Sequence, residues 1–352
     1  MSDTLIISID VMGGDYAPDA VIEGVARVAK SDPSVFFFLY GDEAKILPLI
    51  KQFGLQPDRF KIHHTTQVVK ADDKPSAAIR NGRESSMWKA IMSVRNGYAH
   101  AVVSAGNTGA LMAMSKICLG TLSGIDRPAI AAVLPSLEGP IVALDLGANA
   151  ECNSQNLVEF SIMGHVLYHV LFGVEKPSIG LLNIGSEETK GREEIREASS
   201  ILKGFGDKLN FCGFIEGNDI CLGKTNVVVS DGFSGNVALK AIEGTAKFAA
   251  KCLKQAFKPL WARFGLLFAV SGLLKLKKKI DPRRYNGAMF VGLNGISVKS
   301  HGGSDAFGFA CAIESAIQMA KNNLCDKIKT ELSNLMEETE ETAKEETEET
   351  IK

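Results

Sequence analysis

Five times in this 352-residue chain an apolar run ends in a polar, glycine-rich turn and then enters a helical pattern. The turns are Asp10-Val11-Met12-Gly13-Gly14-Asp15, Ser104-Ala105-Gly106-Asn107-Thr108-Gly109-Ala110, Asp145-Leu146-Gly147-Ala148-Asn149, Asn183-Ile184-Gly185-Ser186-Glu187-Glu188-Thr189-Lys190-Gly191 and Asp231-Gly232-Phe233-Ser234-Gly235-Asn236. That grammar is the signature of parallel strands joined by crossover helices. It also leaves bare backbone amides at positive helix ends, where an anion can be held. One such turn is weak evidence. Five of them point to one shared site along a single sheet edge.

Strands are expected at Leu5–Ile9, Val35–Tyr40, Phe60–His63, Ala101–Ser104, Ala129–Leu134, Ile141–Asp145, Ile179–Asn183, Phe211–Ile215, Asn226–Ser230 and Ala288–Leu293. Helical spacing covers Pro18–Lys30, Pro75–Arg95, Gln155–Leu171, Arg192–Lys203, Gly235–Phe257 and about Asp305 to Leu324. The alternation predicts a three-layer α/β/α fold on a mostly parallel sheet, with the ligand beyond the carboxyl ends of the strands. One unit is expected over residues 1–332, followed by an acidic, disordered tail at 333–352.

Composition narrows the function. A formal net charge of -2 argues against a protein that coats nucleic acid. Seven scattered cysteines form no Cys-x-x-Cys pair, and six histidines form no His-x-x-x-His pattern, so no metal site is expected. With no signal-peptide pattern ahead of the first strand, the expected setting is the cytosol.

Several motifs compete with plainer readings. Gly217–Thr225 imitates a nucleoside-triphosphate loop, but its Gly-Lys-Thr precedes a strand instead of opening a helix, so it is rejected. No strand-to-helix turn carries GxGxxG, which weakens a dinucleotide reading. Lys190, flanked by glycines, offers a point charge to phosphate; the plain alternative is a solvated turn. Asn236 is either a first-turn cap or a neutral donor to an oxyanion. Asn294–Ser304 is read as a loop that combines Lys299, His301 and glycines.

Within an apolar and basic insertion at about 258–285, Leu266, Leu267, Phe268, Val270, Leu273 and Leu274 precede a run of lysines and arginines. The apolar run falls short of the ~20 residues a spanning helix needs. It fits a segment lying on an anionic membrane surface, or a buried or subunit-facing helix. Both readings stay open.

Taken together, DVMGGD, SAGNTGA, DLGAN, NIGSEETKG, DGFSGN and NGISVKSHG resemble the phosphate acyltransferase (PlsX-type) family of bacterial phospholipid synthesis, over roughly residues 4–330. The resemblance implies transfer of a fatty acyl group from acyl carrier protein to inorganic phosphate. It implies no cofactor, a homodimer, and a fold similar to phosphotransacetylases and isocitrate dehydrogenases. It also implies a cytoplasmic enzyme at the inner face of the membrane, passing acyl phosphate to a membrane glycerol-3-phosphate acyltransferase.

A thioester is already activated, so preorganised cations and N–H donors are the main need. Lys190 is assigned to neutralising phosphate and oxyanion, Asn236 to orienting the oxyanion, and His301 to protonating the leaving thiolate. Phosphate is expected on the amides of Gly106, Asn107 and Thr108. Asp10, Asp15, Asp145 and Asp231 orient donors or brace loops, and Gly13, Gly14, Ser104, Gly147, Asn149, Gly235 and Lys299 complete the lining. Rival readings are a phosphotransacetylase acting on acetyl-coenzyme A, an isocitrate-type dehydrogenase and a peripheral membrane scaffold.

Overall fold

A computed structural model describes residues 4–259, 270–274, 279 and 281–335. The strands are β1 (Leu5–Asp10), β2 (Val35–Gly41), β3 (Phe60–His64), β4 (Ala101–Ser104), β5 (Ala129–Pro135) and β6 (Pro140–Leu144). They continue with β7 (Ile179–Leu182), β8 (Phe211–Ile215), β9 (Val227–Val229), β10 (Ala288–Val291) and β11 (Ile296–Lys299). All belong to one sheet, in the order β3-β2-β1-β4-β11-β10-β5-β6-β9-β7-β8.

Side chains alternate across the pleat, and the two faces bury separate apolar clusters. Ala101 and Val103 enter one cluster while Val102 enters another; Val227 and Val229 part from Val228 in the same way. On one face lie α1 (Asp19–Ser31), α2 (Glu43–Phe53), α6 (Ser154–Phe172), α7 (Glu193–Gly204) and α10 (Ala306–Lys321). The other face carries α3 (Pro75–Asn81), α4 (Ser86–Arg95), α5 (Thr108–Leu119), α8 (Gly217–Leu222) and α9 (Gly232–Ala256). This is the expected three-layer α/β/α arrangement. Helix α6 is buried nearly all round, and its start is closed by reciprocal hydrogen bonds between Asn153 and Asn156.

The sheet is mixed in a specific way. β11, β4, β1, β2 and β3 run parallel to one another, and so do β6, β9, β7 and β8. Between them β10 is antiparallel to β11 and to β5, and β5 is antiparallel to β6. Three reversals turn the second block over relative to the first.

Two local expectations need correction. The span Pro75–Arg95 is two helices: Gly82 closes α3 through its amide on Ala78 O (2.7 Å), and Ser85 caps α4 by accepting from the Trp88 amide. The segment read as a loop, Asn294–Ser304, contains β11. Its Ile296 and Val298 supply only two apolar positions, too few for a periodic signal. In the decoy motif, Gly223 is the left-handed cap that ends α8.

Residues 324–335 are helical and Leu335 is buried, so ordered structure passes the expected boundary at 332. Of the apolar insertion, Leu266, Leu267 and Phe268 lie outside the described residues. Residues 270–274 are helical, with Val270 and Leu274 exposed and Leu273 half-buried. Among the described residues no helix is long and apolar enough to cross a membrane.

Candidate functional site

Register places Asp10, Ser104 and Lys299 in one row at the carboxyl ends of β1, β4 and β11. The Ser104 hydroxyl donates to Asp10 Oδ2 (2.7 Å) and accepts from the Gly106 amide (3.0 Å). Burial pushes the Asp10 carboxyl above its usual range, opposed by the Ser86 and Ser104 hydroxyls, the Met12 amide and the Lys299 charge. Asp10 Oδ1 and the Ser86 hydroxyl are both fully buried. Beside them Lys299 is only 7% exposed. Its ammonium donates to the carbonyls of Ala105 and Ser300, and burial lowers its pKa to about 8 against the pull of Asp10 and Asp15.

Three loops nest over this row. A Cβ on Gly13 would lie 2.5 Å from Asp10 Oδ2 and 2.7 Å from the Gly106 amide, so only glycine permits that approach. The Asp15 amide donates to Gly302 O (2.9 Å), tying the first loop to the last. Gly14, at φ +110°, gives the turn its left-handed conformation. Exposed His301 accepts from the Gly303 amide at Nδ1 (3.1 Å), which leaves the ring proton on Nε2. Asn286 Oδ1 accepts from the His301 amide. Asn107 is spent structurally: Oδ1 caps α5 at Ala110, and Nδ2 pins the carbonyls of Lys70, Ala71 and Asp73. Thr108 then opens α5 at the surface, where first-turn amides lack intrahelical acceptors.

A second group gathers at the carboxyl ends of β6, β9 and β7. Asp145 accepts from the amides of Ile130, Gly147, Ala148 and Asn149 and from Asn149 Nδ2. Burial raises its carboxyl pKa, and these donors oppose the rise. With both oxygens occupied, this side chain shapes its loop. Asp231 caps α9 through Ser234 and forms an ion pair with Arg192. Gly232 and Gly235 let the first turn of α9 press against the Asn149 and Asp145 backbone.

Asn236 leaves that turn exposed and donates Nδ2 to Leu146 O (2.9 Å), against Gly147 at φ +132°. Lys190 is exposed; its carbonyl accepts from Asn183 Nδ2 (3.1 Å), and its ammonium has no hydrogen bond or ion pair among the described residues. Cys152 stands nearby, but burial and the Asp145 charge push its thiol up to about 11, which removes the thiolate an acyl-enzyme would need.

The structure does not bring the five turns to one edge. Because β10 and β5 reverse the sheet, the Asp10, Ser104 and Lys299 loops leave their strands in one direction and the Asp145, Asn183 and Asp231 loops leave theirs in the other. From β11 to β6 is three strand steps, and the loops diverge beyond them. By register Lys299 lies in line with Ala143, two residues short of Asp145, so strand spacing of ~4.8 Å and a rise of ~3.3 Å per residue set the backbones of Lys299 and Asp145 about 16 Å apart. Lys190 and Asn236 therefore stand on loops that leave the sheet in the opposite direction from the loop of Thr108. Strand direction is the physical reason, and it is not legible in turn motifs.

Sequence reasoning also passed over Ser86, Asn286 and Arg192. Ser86 was hidden inside the merged helix, Asn286 sits ahead of a strand, and Arg192 carried the only available signal, its place directly after Gly191. Among the described residues, no group of three or more His, Cys, Asp or Glu side chains is placed to hold a metal ion.

Comparison with known proteins gives the family. A family profile described as "Fatty acid synthesis protein" matches residues 5–327. The phosphate acyltransferase of Paramagnetospirillum magneticum is 52% identical over 336 residues, covering 95% of this chain and 96% of its own. That of Rhodospirillum rubrum is 51% identical over 334 residues, covering 95% and 96%. Among solved structures, a phosphotransacetylase from Streptococcus pyogenes superposes with a TM-score of 0.63 at 17% identity, covering 92% of this chain and 95% of that one. A branched-chain phosphotransacylase from Enterococcus faecalis gives 0.55 at 14% identity, covering 90% and 99%. These two likenesses concern the fold alone. With a profile match over nearly the whole chain and relatives about half identical along it, the chain belongs to the fatty acid synthesis protein family and is an acyltransferase.

Proposed function

We propose that this enzyme transfers a fatty acyl group from the thioester of an acyl carrier protein to inorganic phosphate. The observation that carries the reading is buried Lys299 beneath the nested glycine loops, beside the open start of α5. A cation of lowered pKa next to free first-turn amides suits a compact oxyanion. The names of the curated relatives support phosphate as acceptor.

In the reaction a phosphate oxygen attacks the thioester carbonyl carbon, and a tetrahedral oxyanion forms. The C–S bond then breaks, giving acyl phosphate and a carrier thiolate. The proton that phosphate loses returns to sulfur by way of His301, whose Nε2 carries a proton at the surface. Lys190 and Asn236 supply the cation and the neutral donor for the oxyanion, each such donor contributing about 3 kcal/mol. Asp10 and Asp145 hold loops in shape. The product is amphiphilic, and exposed Val270 and Leu274 suit contact with the inner face of an anionic membrane, where a membrane acyltransferase would consume it.

The test is acyl phosphate formation from long-chain acyl carrier protein, with and without inorganic phosphate, beside an acetyl-coenzyme A arm. Phosphate-dependent product from the carrier protein is expected. Product from acetyl-coenzyme A alone overturns the carrier-protein donor.

A further inference from the structure

We propose that the fatty chain of the donor lies in the apolar cleft between α9 and the sheet, with its thioester at the mouth beside Asn236. The inference rests on the acyl-transfer reading above and gives that reading a site for the acyl chain.

Helix α9 is fastened to the sheet only at its start. Of its 25 residues just Gly232 and Gly235 are buried, whereas α6 on the opposite face is buried along most of its length. A Cβ on Gly235 would collide with Asp145 O and Ser230 Oγ, so the first turn is pressed onto the end of β6. Beyond it Ala238, Leu239 and Ile242 face the sheet half-buried, and Leu134 and Leu182 beneath them are half-buried as well. The free space left between the layers is about 250 Å³, its open mouth included, and at its widest it seats about one water molecule. A chain therefore enters by lifting α9, and a helix held at one turn with few buried contacts beyond it lifts at little cost.

The lining selects for hydrocarbon. Among the described residues it carries no charged side chain, and it is apolar throughout apart from Ser230, whose hydroxyl is already spent on Asp145 O (3.3 Å). A methylene chain gains by leaving water and asks for no hydrogen bond, whereas a polar ligand would find no partner there.

The two ends of the cleft fix its direction. At one end the Leu146 carbonyl accepts from Asn236 Nδ2 (2.9 Å), and Gly235 directly precedes Asn236. Leu182 directly precedes Asn183, whose Nδ2 holds the Lys190 carbonyl (3.1 Å). The loops of both candidate oxyanion groups thus start at this mouth. The far end is formed by Ile220, Ile242 and Leu134, which pairs with Ile141 near the start of β6. From Gly235 to Ile242 the helix advances about 10 Å, a depth that a long acyl chain fills and a short one does not.

Chain-length selectivity tests the proposal. Ile242→Trp fills the far end of the cleft and leaves its mouth open. Acyl phosphate formation is measured with butyryl and palmitoyl carrier protein. The kcat/KM for palmitoyl is expected to fall at least about tenfold, the low end of what one misfitting methylene costs in a hydrophobic pocket, while that for butyryl stays within about twofold. An unchanged ratio of the two overturns the proposal. Palmitic acid carrying a diazirine at mid-chain gives a second arm on the wild-type chain, independent of turnover and of whether the variant folds. Labelling of Ile220, Leu239 or Ile242 is expected; labelling confined to other residues, or none, overturns the cleft. A labelled cleft in a wild-type chain that forms no acyl phosphate from either donor refutes the acyl-transfer reading instead. Phosphate-dependent product with an unchanged ratio refutes the cleft alone.

Discussion

Lys299 and Ser104 are register partners on neighbouring parallel strands, which sets the buried ammonium beside the hydroxyl that holds Asp10. Burial of Lys299 follows from β11 lying inside the sheet between β4 and β10. Its consequences are measurable.

The first concerns pH. Burial holds the Lys299 pKa at about 8 in the folded chain, below its ordinary 10.5. Its charge is present below about 8 and disappears above, so phosphate binding through it weakens on the alkaline side. The KM for phosphate is expected to rise through that range, and Lys299→Arg to move the limb upward. The stability sign is opposite: the unfolded chain binds more protons between the two values, so this residue adds stability as pH rises from about 8 toward 10.5. An alkaline limb unchanged in Lys299→Arg removes the residue from phosphate binding.

Asp145 makes a stability prediction. Its oxygens take four backbone amides and the Asn149 amide group, so Asp145→Asn turns an NH₂ toward donors that need acceptors. A loss of about 3 kcal/mol is expected in urea unfolding, at the upper end of the cost of a buried unsatisfied group. A midpoint equal to that of the wild type refutes the bracing role.

Two glycines give an opposed pair. Gly13→Ala is expected to lose activity and more than about 1 kcal/mol, because the new methyl meets Asp10 and the Gly106 backbone. Gly204→Ala, in a helix with nothing within 4 Å of the new methyl, is expected to gain about 0.5 kcal/mol. Thermal unfolding of both variants reads the contrast.

Kinetics separate Lys190 from Asn236. Lys190→Ala and Asn236→Ala are each expected to lower kcat by roughly 100-fold, the effect of one oxyanion donor, with little change in unfolding. Arg192→Ala, which frees the buried Asp231 cap, is expected to cost about tenfold in kcat, and Arg192→Lys to recover part of it. Near-normal turnover in either alanine variant of the first pair dismisses that residue from the reaction.

Leu274→Glu reads the membrane question. This side chain is exposed on a helical stretch beside the basic segment. Binding to anionic vesicles is expected to weaken with the variant and with salt. Unchanged binding assigns lipid contact elsewhere.

Local signals carried far in this protein. Apolar runs located ten of the eleven strands among the described residues because each is buried in a layered sheet, and the glycine turns marked where loops pack backbone to backbone, as Gly13 does on Gly106. The missing strand, β11, hides a lysine where an apolar residue would have announced it. Strand direction was silent for a different reason. Parallel and antiparallel partners share the same pleat and the same residue preferences, so nothing in Ala129–Pro135 or Ala288–Val291 reveals the reversals they make. Ser86 and Arg192 stayed hidden because their partners, Asp10 and Asp231, are remote in sequence.

The turned-over second block has a thermodynamic corollary. Substitutions around Asp10 and around Asp145 share no neighbour within a chain, so their folding penalties should sum within about 0.5 kcal/mol. Evolution, or an engineer, can thus retune either rim of this sheet without repairing the other.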